Sequence, residues 1–231
     1  MSDPHNGTAE LLIQRAATLY RLKDLRRTGW VLRGITEPES VADHSWGTAL
    51  LALLFLPLAT EPDAPLDRER VLSIALVHDL AEAETGDIPR RALSEATTVT
   101  MEEKHRREEA AIRRLTEIPE GLQREGEPVL PGVTGITGIA ELWYEYEAGT
   151  TRESRFVRDM NLVDMCLQAV VYEEGARYDP RERAADFPDF PGLEEFFETS
   201  RDRFRTALGR SLYRSLHQRY QQVRKTHYTG N

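Results

Sequence analysis

His44, His78 and Asp79 supply two imidazoles and a carboxylate, the ligand types that hold a divalent first-row metal and leave positions open for water or substrate. Taken singly, either histidine is more often a hydrogen-bonded core or surface residue; the set and its surroundings suggest the metal. Glu82 follows His78 by four residues, and on one continuous helix its carboxylate would share that face, beside a water that the metal acidifies. It is a candidate general base, against the plainer reading of a surface glutamate in a Glu-rich helix. Asp87, in Thr85-Gly86-Asp87, could orient water or protonate a leaving oxygen, or simply form a turn.

These residues need elements to hold them. Thr8 can cap a helix whose apolar stripe, Leu12, Ala16, Leu19 and Leu22, ends near Gly29. A second helix is expected from Val41 to Leu58, with His44 in its first turn, and a third from Asp67 to Glu84, broken by Thr85-Gly86-Asp87-Ile88-Pro89. The charged stretch from Ser94 to Thr116 reads as a helix with a solvated face. Pro119 to Gly138 reads as a loop, followed by a short helix carrying Ile139, Leu142, Trp143 and Tyr146. Arg152 to Ala176 places Phe156, Met160, Val163, Leu167 and Val170 on one stripe and should be the central helix. Pro180 to Pro191 is another loop, and helices from Leu193 to Leu208 and Ser211 to Lys225 complete the chain.

A chain of 231 residues fits one domain with a sizeable core. Segments rich in Ala, Leu, Arg and Glu far outnumber stretches of alternating β-branched residues, so the fold class should be all-α, a single helical bundle. The core is expected over about 8–178, with C-terminal helices over about 193–225. The net charge of -9, with both signs interspersed, disfavours nucleic acid as a partner. Cys166 is the single cysteine and sits in an apolar run, so it reads as a buried structural thiol in a reducing compartment. The first ten residues lack a signal-peptide pattern, and the apolar run from Ala49 to Ala59 is too short to span a bilayer. A cytoplasmic protein without a membrane partner is expected.

Three ordered segments carry a resemblance. Arg27-Thr28-Gly29-Trp30, then Pro38-Glu39-Ser40-Val41-Ala42-Asp43-His44-Ser45, then His78-Asp79-Leu80-Ala81-Glu82 with Thr85-Gly86-Asp87-Ile88-Pro89, are similar to the HD-domain 5'-deoxynucleotidases and their eukaryotic relatives. The likeness continues through Glu141-Leu142-Trp143-Tyr144-Glu145-Tyr146-Glu147 and Arg155-Phe156-Val157-Arg158-Asp159. It covers about residues 11 to 175; the last fifty residues match only loosely. It implies a helical HD-domain bundle, often a homodimer, that removes the 5'-phosphate from deoxynucleoside monophosphates with one divalent ion, be it Mn, Co, Mg, Fe or Zn. His44, His78 and Asp79 would be ligands, Glu82 would activate water and Asp87 would assist. Arg27 and Trp30 would contact phosphate and sugar, with Arg33 a second candidate.

The resemblance also implies a fourth ligand, an aspartate on the central helix, and that position holds Asn161. Its amide oxygen can still coordinate, with one negative charge fewer. Asp159 lies about 200° around the helix from it, whereas Asp164, three residues on, shares its face. Alternatively the chain has become a nucleotide-binding or regulatory protein, or the Asn marks a specialised substrate. A di-iron HD oxygenase would need further ligands, and His5, His105, His217 and His227 stand outside any such motif.

Overall fold

The computed structural model describes residues 6–59, 65–89, 99–117, 135–179, 181, 190 and 192–228. Among them the regular elements are helices, with no strand and one isolated antiparallel bridge between Arg26 and Ser40. That bridge explains the first departure from the expected elements. α1 spans Asn6–Leu19, so it begins two residues before Thr8, and passes into a 3-10 turn, Tyr20–Lys23. It does not continue to Gly29, because the next residues pair with the strand-like approach to the second helix. Arg27 N–H donates to the Glu39 carbonyl at 3.0 Å and Val41 N–H donates to the Leu25 carbonyl at 2.9 Å. Pairing across the chain displaces the local helical bonds, and a separate five-residue helix, α2 (Thr28–Leu32), follows.

α3 runs Val41–Phe55 and starts at a reciprocal cap. The Ser40 hydroxyl accepts from the Asp43 N–H at 3.1 Å, and the Asp43 carboxylate accepts from the Ser40 N–H at 2.9 Å, satisfying end groups the helix cannot satisfy itself. Val41, His44, Ser45, Thr48, Leu51 and Ala52 are its buried face. With the following turn, Val41–Leu58 is long and apolar enough to cross a membrane by length and composition alone, a wider window than residues 49–59 and one that a core helix also meets. Its polar members, His44, Ser45 and Thr48, are buried in the fold.

α4 (Arg68–Val77) is capped by Asp67 and ends at His78. The expected helix to Glu84 is interrupted because the His78 ring takes the Ala75 carbonyl at 2.8 Å, the acceptor that the Asp79 N–H would use in a continuing helix. After a turn, α5 (Glu82–Thr85) closes on Gly86, whose φ of 76° suits glycine. α6 covers Met101–Thr116, capped by Thr100, and α7 covers Gly135–Ala148, taking in residues 135–138 that were expected to be loop. Residues 118–134, and most of 180–191, lie outside the described residues.

α8 (Arg152–Glu174) is the central helix and packs against α3, α4, α7 and the last helix, α10 (Ala207–Tyr228). Phe156, Met160, Val163 and Val170 are each at most 2% exposed, matching the stripe in the sequence. The segment expected as a helix from Leu193 to Leu208 is only α9, Glu194–Glu198. Buried Asp159 accounts for the break: its carboxylate accepts from the N–H groups of Arg205 and Thr206 at 2.7 and 2.8 Å and from the Thr206 hydroxyl. These bonds fix the chain just before α10, and Asp159 is not among the residues lining the cavity.

Candidate metal centre and cavity

His44 from α3 and His78 at the end of α4 meet with ring centroids 5.4 Å apart. Each imidazole has one nitrogen committed. His44 Nδ1 lies 2.7 Å from Asp164 Oδ2, and His78 Nδ1 lies 2.8 Å from the Ala75 carbonyl. Both partners are acceptors, so both Nδ1 atoms carry the hydrogen, and in the neutral rings both Nε2 atoms present lone pairs. Burial disfavours a further proton on His78, but without a cation Asp79 favours one. Those two Nε2 atoms are buried without a hydrogen-bond partner, and Asp79 Oδ2 lies 3.6 Å from the first and 3.3 Å from the second. Two orphaned lone pairs facing one carboxylate fit a divalent cation. A second grouping, Glu39, His44 and Asp164, also lies close together, but there the imidazole nitrogen is already bonded to Asp164.

Charge makes the same case. Nη1 of Arg27 lies 3.5 Å from Asp79, 3.4 Å from Asp87 and 3.9 Å from Glu82, so one guanidinium faces three carboxylates in a buried setting, an excess that a cation relieves. Burial alone would raise the Asp79 carboxyl, yet positive charge beside it, a protonated His78 first and then Arg27, holds it well below the usual range, and a bound cation would take over that role. Burial, followed by the charges of Asp79 and Asp87, pushes Glu82 well above its usual value. Burial drives the His44 imidazole down to about 3, with Arg27 acting in the same direction, which keeps it in the neutral form that ligates metal.

Glu82 therefore arrives at the centre by a different route from the expected one. It sits on α5, not on a helix shared with His78, and its buried Oε2 has no hydrogen-bond partner. Asp87 accepts the Thr28 N–H at 2.6 Å, and the Thr28 hydroxyl donates to the Asp87 carbonyl at 2.7 Å. Besides its place next to Arg27, it fastens the start of α2. Trp30, 2% exposed, donates from Nε1 to Glu39 at 2.8 Å and lines the cavity.

Arg33 is placed elsewhere. It is 4% exposed, its Nε bonded to Glu195 at 2.5 Å and its Nη1 to the Phe190 carbonyl at 3.0 Å, and it is absent from the cavity lining. Asp164 is also not a substitute ligand beside Asn161, since it lies on the Nδ1 side of His44 and not with Asp79. Asn161 does line the cavity with His78 and Asp79. Its amide nitrogen donates to the Tyr146 hydroxyl at 2.7 Å, which leaves the amide oxygen as the group it can offer an ion.

The cavity has a volume of about 270 Å³, close to the lower end of small-molecule sites. Several of its residues escaped the sequence reading. Lys104 and Glu108 were assigned to a solvated face, yet they form an ion pair at 3.3 Å beside the cavity. The signal was present: positions 104, 108, 111, 112 and 115 share a helical stripe with buried Ala111, Ile112 and Leu115. Tyr146, whose ring lies 5.1 Å from His78, was read only as part of an apolar face.

Comparison with known proteins agrees with this arrangement. The HD-domain family model matches residues 19–190. The bovine 5'-deoxynucleotidase HDDC2 is 36% identical over 198 residues, which cover 85% of this chain and 79% of the relative. The 5'-deoxynucleotidase hdd1 of Schizosaccharomyces pombe is 38% identical over 157 residues, covering 67% of this chain and 69% of that one. Among solved structures, the PH0347 protein of Pyrococcus horikoshii OT3 superposes with a TM-score of 0.64 at 28% identity, covering 90% of this chain and 98% of its own. With its helical fold, its clustered His44, His78 and Asp79, and these matches, the chain belongs to the HD-domain family.

Proposed function

We infer that this protein is a metal-dependent phosphohydrolase that removes the 5'-phosphate from (deoxy)nucleoside monophosphates. The observation that carries the reading is the pair of buried imidazole nitrogens, without a hydrogen-bond partner among the described residues, that converge with Asp79 next to Arg27 and Glu82, both of which line the cavity. The relatives named as 5'-deoxynucleotidases, at 33–38% identity, supply the substrate class.

His44, His78 and Asp79 would hold one divalent ion, with the Asn161 amide oxygen as a neutral fourth ligand. Such an ion acidifies water and offsets phosphate charge when bound. Glu82, made more basic by burial, would in its ionised form accept the proton of the attacking water as the new P–O bond forms, and return it to the O5' oxygen as the P–O5' bond breaks. Asp87 and Glu82 keep the Arg27 guanidinium at the cavity floor, where it can turn to the phosphate oxygens. Trp30, which is among the residues lining the cavity, would contact the sugar.

The protein is further proposed to act in the cytoplasm as a homodimer with no nucleic-acid or membrane partner. The net charge of -9 supports the exclusion of nucleic acid. The exposed Trp46, Leu54 and Leu58 on and after α3 suit a covered face in a dimer. Phosphate release from deoxynucleoside monophosphates in Mn²⁺, Co²⁺ or Mg²⁺ tests the reading. No release from any nucleotide, with calorimetric binding retained, would refute it in favour of a nucleotide-binding or regulatory protein.

A further inference from the structure

α9 lies beyond residues 19–190, the segment matched by the HD-domain family, yet its Glu195 and Phe196, with Thr199 at its C-cap, line the same cavity as His78 and Asp79. The contact is built, not incidental. The Phe196 ring lies 4.0 Å from that of Trp30, centroid to centroid, at 35°. A Cβ at position 29 would sit 3.2 Å from Phe196 Cε1, so Gly29 is what lets the ring approach the short helix so closely. At the other end of α2, the buried Arg33–Glu195 pair ties the same two elements together.

The cavity thereby gains lining from both short helices. Its ionic lining includes Arg27, Asp79, Glu82, Glu195 and Arg203, and its apolar lining includes Trp30, Phe196, Leu162 and Met165, with Thr199 also on the lining. The Thr199 hydroxyl donates to the Glu195 carbonyl at 2.8 Å, so towards the cavity its oxygen can only accept a hydrogen bond. Aromatic and aliphatic lining with a hydroxyl acceptor, in the same cavity as an ionic cluster, has the chemistry to take a planar heteroaromatic ring with an N–H donor on its rim.

Resting on the hydrolase reading, we propose that Phe196 and Thr199 are specificity-determining residues that recognise the nucleobase of the substrate, Phe196 by ring contact and Thr199 by accepting from an exocyclic amino group. The preferred substrates are then nucleoside monophosphates with amino-bearing bases, ahead of thymine or uracil nucleotides and of base-free sugar phosphates.

The test measures kcat/KM of the metal-loaded enzyme on dCMP, dUMP and 2-deoxyribose 5-phosphate. Phe196→Leu keeps apolar volume but removes the ring, and should lower the ratio of dCMP to sugar phosphate on the order of tenfold, chiefly through KM. Thr199→Val, on an exposed position where folding is secure, should lower the ratio of dCMP to dUMP roughly fivefold, the loss of about one hydrogen bond. Wild-type activity on nucleotides with both ratios unchanged in the variants would overturn the base wall alone. Wild-type enzyme inert toward all three compounds would overturn the hydrolase reading and the inference with it.

Discussion

The Asp164 carboxylate lies 2.7 Å from Nδ1 of His44, on the opposite side of the ring from Asp79. It fixes the tautomer, aims Nε2 into the centre and raises the basicity of that nitrogen. Asp164→Asn is expected to weaken metal binding by roughly 10- to 100-fold with the fold intact. Competition with a fluorescent chelator measures this, and an unchanged affinity would show that His44 needs no such partner.

Gly47 makes room for that carboxylate. A Cβ at position 47 would sit 2.1 Å from Asp164 Oδ1 and 3.0 Å from its Cγ, so α3 and α8 could not keep both their packing and the His44–Asp164 bond. Gly47→Ala should cost about 1–3 kcal/mol of stability and reduce metal affinity in the same direction as Asp164→Asn. Urea unfolding with a metal titration separates the two effects; full stability at wild-type affinity would contradict the close approach.

The clustering of His44, His78 and Asp79 was legible because ligand chemistry is written in residue types, and the central helix because its stripe of Phe156, Met160, Val163, Leu167 and Val170 is buried at every position but the half-buried Leu167. What stayed hidden depends on tertiary partners. Residues 24–27 have nothing local against a helix, and it is the pairing with Glu39 and Val41 that removes them from one. Asp164 shares a helical face with Asn161, but which nitrogen of His44 it meets is decided by how α3 lies on α8. Arg33 looked like a ligand for phosphate because nothing in its neighbourhood names Glu195, 162 positions away.

Asn161 allows a gain to be predicted. Asn161→Asp adds a negative charge on the cavity wall that also carries His78 and Asp79, and the Tyr146 hydroxyl, now donating, can keep the 2.7 Å contact. Divalent-ion affinity should rise on the order of tenfold, a conservative share of the Coulomb attraction at a partly screened site. Asn161→Ala should lower it. Isothermal titration with Mn²⁺ on both variants gives the comparison, and equal affinities throughout would remove Asn161 from the ligand set.

Glu108 provides a pH dependence that lies apart from the ligands. Burial is the main reason its carboxyl is pushed up to about 7, with Glu147 and Asp79 adding to the effect and Lys104 opposing it. A carboxyl whose folded pKa exceeds its unfolded one binds more protons in the native state, so it lowers stability as pH rises from about 4.5 towards 7. Removing the charge should therefore help only at the upper end. Glu108→Gln is expected to match the wild type near pH 4 and to exceed it by on the order of 1 kcal/mol at pH 8, the gain being reduced by the lost Lys104 pair. Urea midpoints across this range decide it. A variant less stable than the wild type at pH 8 would mean that the 3.3 Å pair with Lys104 outweighs the burial of the carboxylate.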